Sequence, residues 1–360
     1  MPAEPYLHPI TEPAAWTPQD LAKDTSWDIA LTQRQADELV DTLATVKKTG
    51  VPLARIGKAD FPLPASRDVT EAIRHQLKSG RGFALLHNFP VEGHALDDVE
   101  RMYWGFCAHL GVGLTQNSDS TLIHYVTEGK LRPNQGTRGV GNPGKVSLHV
   151  DLADCVSLLC VRQPADNPPS RLSSSLTLHN MLLERHPEVL ERLYEGFLWD
   201  RQNEHGEGET PTSAYRVPFF SQKNGTVSCR YNRNWITKAA NRNGGFSAEE
   251  EALLDLIDEY THESCFEFPF NPGDVQFASN YTVLHGRAPH APTASEEEAR
   301  LLMRIWFDME GMRAFADESI VRYGIIRHGR LGWTAPQLAA GLDGRLHARR
   351  ADGAPLLAPA

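Results

Sequence analysis

The stretch KVSLHVDLADCVSLLCV (145–161) sets the tightest limit on the fold, because it places a histidine and acids inside an otherwise apolar run. Its Val, Leu and Cys content reads as one or two buried strands. A carboxylate is costly to bury unpaired, so Asp151 needs a partner. His149, two residues earlier, points to the same face of a strand. A cation held by both satisfies the pair.

The pattern His-x-acid carries little weight alone. With 15 His and 46 acids in 360 residues, chance gives roughly two occurrences, and only the two-residue period of a strand makes the spacing chemical. The chain holds three: His149-Val150-Asp151, His186-Pro187-Glu188 and His205-Gly206-Glu207. His186 precedes a proline at a helix start, where Glu188 complements the helix dipole. His205 lies in the polar loop EHGEGETP. Only His149 stands on an apolar strand.

A third ligand must come from elsewhere. His285 closes the strand segment QFASNYTVLHG; a hydrogen-bonded core histidine is the competing reading. The following segment, ARLLMRIWFD, carries Arg300 and Arg304. Their even spacing puts both on one face of the strand. Two cations on an apolar face require anions, unless they reach solvent at the strand ends. Two His and one carboxylate form a facial triad that leaves coordination positions open, as in non-haem Fe(II) oxygenases. An arginine fork beside it suits a dicarboxylate.

The remaining pattern predicts how these segments are framed. Thr32 and Gln35 form a capping box before an amphipathic run that Gly50 ends. Helices are expected over 69–79 and 95–110, with a buried strand at 82–89 between them. A helix over 180–197 has Pro187 in a first-turn position. TVSCRYNRNWI (226–236) alternates as a strand, and Ser247 with Glu250 caps a helix over 248–262. Two strands around a PGD turn are expected in 266–289, and another over 300–309. This order predicts a β-rich core wrapped by helices rather than βαβ units. We expect one domain over 1–360, with an N-terminal helical region to about 80, a helical insertion at about 178–262 and a loosely packed tail at about 330–360. No GxGxxG follows a strand, and neither a P-loop nor a GxSxG motif occurs.

Charge and cysteine content narrow the partners. Lys plus Arg total 36 against 46 Asp plus Glu, a net charge of −10, which argues against a chain-wide surface for nucleic acid or membrane. The 5 cysteines form no CxxC pair, as in a reducing compartment. With no secretory leader pattern and no membrane-length apolar run, a cytoplasmic location is expected. A homo-oligomer is compatible with these features.

HVD at 149–151, NYTVLHGRAPH at 280–290 and EARLLMRIWFD at 298–308 resemble the TauD/TfdA-like (taurine dioxygenase and clavaminate synthase-like) Fe(II)- and 2-oxoglutarate-dependent oxygenases. RGFALLHNFPVEG (81–93), FCAHLGVGLTQNS (106–118) and the segment 173–197 are similar to the same family, so the resemblance spans roughly residues 25–325. It implies a double-stranded β-helix (jelly-roll, cupin-like) core with flanking helices. It implies Fe(II) on His149, Asp151 and His285, with 2-oxoglutarate as cosubstrate and its distal carboxylate on Arg300. Ser170, in NPPS, takes the place of an assisting Thr or Ser, although the usual Gly-Gly pair is missing. Arg304 would lie near the cosubstrate or an anionic group of the substrate.

Asp151 occupies the position where related halogenases have a small residue, so the resemblance implies oxygenation. The partners are then O2 and a small polar, carboxylate-bearing molecule, hydroxylated with release of succinate and CO2. Gln116 and Asn117, in GLTQNSDS, are candidate substrate contacts on a loop facing the site. Two other readings compete. A divalent-metal cupin-type hydrolase or isomerase could use the same ligands, but has no need of Arg300 and Arg304. A non-catalytic binding protein on the same scaffold has no need of an intact triad.

Overall fold

Alternation along one strand, β13 (Leu301–Asp308), decides the layering of the molecule. In this computed structural model, which describes residues 4–127, 146–164, 166–290, 295, 298–313 and 331–340, Leu301, Met303, Ile305 and Phe307 join one buried cluster. Leu302 and Trp306 join another on the opposite face. Both faces are therefore covered, and each fully buried side chain contributes about 1.5–3 kcal/mol.

β13 belongs to a seven-stranded sheet with β1 (Asp28–Ala30), β2 (Phe83–His87), β3 (Val112–Leu114), β4 (Ile123–Thr127), β6 (Cys155–Arg162) and β11 (Val275–Ser279). Their order is β1-β2-β11-β6-β13-β3, with β4 also paired to β13. A four-stranded sheet follows the order β10-β7-β12-β5, from Phe266–Phe268, Ser170–Ser174, Val283–Arg287 and Val146–His149. Val156, Cys160 and Leu302 of the larger sheet pack with Leu172, Phe268 and Val283 of the smaller one. This is the expected double-stranded β-helix, two facing sheets with helices outside.

Helices α2 (Gln33–Thr49), α3 (Arg67–Lys78) and α4 (Leu96–Cys107) cover the outer face of the larger sheet through Leu39, Ile73 and Phe106. The capping box of α2 forms, with Thr32 N donating to Gln35 Oε1 at 2.9 Å. Gly50 closes the helix at φ 66°, a left-handed geometry that glycine adopts without strain. Helices α5 (Ser175–Arg185), α6 (Pro187–Glu195) and α8 (Ala248–Glu263) cover the smaller sheet, where Leu176, Leu190 and Leu254 pack against Leu148 and Leu284.

Several boundaries differ from the sequence reading. The helix expected over 180–197 is two helices that meet at Pro187, whose ring cannot continue the first. The strand expected over 226–236 ends at Cys229, because Asn232 accepts from Trp235 N and starts α7 (Arg233–Arg242). The segment 266–289 holds three strands rather than two. The expected helical insertion also carries a β-hairpin, Phe220–Lys223 with Thr226–Cys229. Of the tail, Leu331, Trp333 and Ala335 are buried, and residues 341–360 lie outside the described residues.

Candidate active site

The smaller sheet brings two histidines face to face. His149 ends β5, His285 lies in β12, and the two are register partners. Directly opposed residues share a face of the sheet, and the ring centroids stand 4.4 Å apart. His149 Nδ1 donates to the Ser147 carbonyl at 2.8 Å. That bond fixes the tautomer and leaves Nε2 as the ligand atom. Burial, then the neighbouring His285, pushes the His149 pKa down to about 4, so the ring is held neutral.

Asp151 lies just beyond β5 rather than on it, because the chain turns at once. Val150 N donates to the Tyr231 carbonyl, and Asp151 N donates to Asn280 Oδ1 at 2.9 Å. Asn280 Nδ2 donates in turn to the Ala153 carbonyl. The turn delivers the carboxylate to the two imidazoles, with His285 Nε2 3.6 Å from Asp151 Oδ2. Burial alone would raise the Asp151 pKa. The Arg304 guanidinium and the two histidines outweigh it and hold the carboxyl well below the usual range. Trp306 Nε1 also donates to Asp151 Oδ2, at 2.9 Å.

Ligand atoms of His149, Asp151 and His285 all lie within 4.8 Å of one another. Two imidazoles and one ionised carboxylate, gathered without a fourth protein ligand among the described residues, fit a divalent first-row metal with positions left open. His285 Nδ1 is buried with no partner among the described residues, while its Nε2 faces the carboxylate.

A pocket opens at this cluster, and Arg287, Arg300 and Arg304 line it with His149 and Asp151. Arg300 precedes β13 and is 6% exposed. Its Nε donates to Gln163 Oε1 at 3.1 Å, and its terminal nitrogens have no partner among the described residues. Burial, then the nearby charge of Arg287, pushes its pKa down to about 9. A desolvated guanidinium in this state is a ready receptor for a carboxylate. Arg304 donates through Nε to Gln116 Oε1 at 2.8 Å and through Nη1 to Asp151 at 3.4 Å.

The expected auxiliary residues fall elsewhere. Ser170 is buried at the start of β7, opposite Arg287 in register, and is not part of the pocket wall. Gln116 and Asn117 are buried and also stand behind the wall; Gln116 holds Arg304, and Asn117 Oδ1 accepts from Thr121 N within a turn. Sequence reasoning missed Arg287, Trp306, Gln163 and Asn280. The even spacing that linked Arg300 and Arg304 extends to Trp306, and that from His285 extends to Arg287. Nothing local marked Gln163 or Asn280.

Comparison with known proteins adds to this geometry. The family model described as taurine catabolism dioxygenase TauD, TfdA family matches residues 49–306. The FR-33289 synthase of Streptomyces rubellomurinus is 27% identical over 315 residues, covering 85% of this chain and 92% of that protein. The taurine hydroxylase-like protein SAT17 of Stachybotrys chartarum is 23% identical over 309 residues, covering 82% and 79%. Among solved structures, an asparagine oxygenase in complex with Fe(II), 3-hydroxyasparagine and succinate superposes with a TM-score of 0.59 at 15% identity, over 78% of this chain and 94% of that one. The non-haem iron oxygenase OrfP, in complex with Fe and alpha-ketoglutaric acid, gives 0.55 at 15% identity, over 78% and 94%. At such identity the likeness is one of fold.

Proposed function

The chain belongs to the taurine catabolism dioxygenase TauD, TfdA family, a non-haem Fe(II)- and 2-oxoglutarate-dependent dioxygenase, and from that premise we propose that it hydroxylates a C–H bond of a small, carboxylate-bearing substrate. Succinate and CO2 are the co-products. The observation that carries the reading is the desolvated Arg300 guanidinium opening on the same pocket as His149 and Asp151 of the metal-ligand cluster. A hydrolase or isomerase on these ligands would leave that buried cation without a task.

The residues divide the work. His149, Asp151 and His285 would hold the iron, which when bound supplies the oxidising chemistry that the side chains lack. Trp306 and Arg304 orient the Asp151 carboxylate, and Ser147 orients His149. Arg300 would bind the distal carboxylate of 2-oxoglutarate, with Arg287 adding positive charge beside it. Arg304 is a further cation of the pocket, and its Nη2 has no partner among the described residues. It would meet an anionic group of the substrate. Two of the structural neighbours hold hydroxylated amino acids, 3-hydroxyasparagine in one and (3S)-hydroxy-L-Arg in the other, which agrees with a carboxylate in the substrate.

A screen coupled to succinate release tests the reading. Small amino acids and organic acids should stimulate turnover above the substrate-free rate. Stimulation by neutral compounds alone would overturn the substrate class.

A further inference from the structure

The Gln116 side chain holds Arg304 at two points. Gln116 is 1% exposed. Its Oε1 accepts from Arg304 Nε at 2.8 Å. Its Nε2 donates to the Arg304 carbonyl at 2.7 Å and to the Leu122 carbonyl at 2.9 Å. One amide thus holds both the backbone and the guanidinium of the same arginine.

The topology explains why an amide is needed there. β13 changes neighbour at this point: Arg304 and Ile305 register with His124 and Ile123 of β4, whereas Trp306 registers with Leu114 of β3. The loop between β3 and β4 closes on itself, with Gln116 N donating to the Thr121 carbonyl at 2.8 Å. At the gap between the two strands, the Gln116 side chain supplies the donor to the Arg304 carbonyl. The guanidinium is restrained on three sides, by Gln116, by Asp151 and by the Trp306 ring, whose centroid is 4.9 Å from its Cζ. Its Nη2 remains for the pocket.

We propose that Gln116 is a positioning residue for substrate recognition: it fixes Arg304 so that the open edge of the guanidinium meets the substrate anion, and does not touch the substrate itself. This rests on Arg304 being the site of that anion. An arginine that has lost its rotamer freedom on folding has less to lose on binding. Only a neutral amide serves, since it accepts from Nε and donates to a carbonyl without cancelling the charge.

The test uses the full chain loaded anaerobically with Fe(II) and 2-oxoglutarate, with acetate, methanesulfonate and methylphosphonate as probes. Anion affinity is read from the perturbation of the visible band, without turnover. Gln116→Ala should weaken the best probe about tenfold, the scale of a lost hydrogen bond to a charged group. Gln116→Glu should weaken it at least as much, while 2-oxoglutarate affinity stays unchanged in both. The double variant with Arg304→Ala should be no weaker than Arg304→Ala alone. If no probe binds, or Arg304→Ala binds the probe like the parent, the assignment of Arg304 fails and takes the proposal with it. If Arg304→Ala weakens the probe and neither Gln116 variant does, the proposal alone is overturned. A purely structural role would instead lower the thermal midpoint and 2-oxoglutarate affinity together.

Discussion

The imidazoles of His149 and His285 face each other across the β5–β12 ladder because the two residues are register partners, with ring centroids 4.4 Å apart. Two rings at this distance, both beside the ionised Asp151, form a ready chelate. Burial and mutual repulsion oppose a second positive charge, and the carboxylate favours one cation between them.

Trp306 holds Asp151 Oδ2 through a 2.9 Å hydrogen bond. Partners of this kind orient a ligand, and their loss costs roughly 10–100-fold in metal affinity. Trp306→Phe keeps the packing and removes the donor. Competition against a coloured chelator should show Fe(II) held at least tenfold more weakly; equal affinity would remove Trp306 from the metal-binding account.

Arg300→Ala should weaken 2-oxoglutarate by about tenfold or more, since a charge-assisted pair is worth about 1.5–3 kcal/mol. Arg300→Lys should recover only part of this, because an ammonium lacks the planar fork. An unaltered cosubstrate affinity in Arg300→Ala would move the role to Arg287.

Asn280 is fully buried and joins Asp151 N to the Ala153 carbonyl. Asn280→Ala strands both groups, at about 1–3 kcal/mol for each unsatisfied buried polar group. A drop in thermal midpoint and weaker Fe(II) binding should appear together. Unchanged Fe(II) affinity would show that the turn holds by other means.

Far from the pocket, His87 sits between two carboxylates, with Nδ1 2.6 Å from Asp274 and Nε2 2.6 Å from Asp28. The Asp274 hydrogen bond first, then Asp28, outweighs burial and raises its pKa from 6.5 to about 9. A folded pKa above the unfolded one means stability that is complete below pH 6.5 and lost as pH rises through 9. The thermal midpoint should fall across that window in the parent and less steeply in His87→Gln. Identical slopes would refute the linkage.

The chemistry was legible where it followed the strand period. His149, His285, Arg300 and Arg304 sit on apolar segments at even spacings, and burial made their charge conspicuous. Asp151 was found by the same rule although it lies off the strand, since the turn after His149 keeps the two side chains together. Gln116 was noticed as a polar loop residue, but its hydrogen bond to Arg304, 188 residues away, was not. Asn280 and Gln163 act across similar separations, and no local pattern records a hydrogen bond of that kind. Strand ends were lost for a related reason: a capping residue such as Asn232 overrides alternation once the chain can turn into a helix.

Anaerobic titration of Fe(II) and 2-oxoglutarate into the protein tests the central claim most directly. The account predicts a weak visible charge-transfer band that saturates at one iron per chain and is absent in His149→Ala and Asp151→Ala. A parent protein that gives no band, or an Asp151→Ala variant that gives the same one, would contradict it.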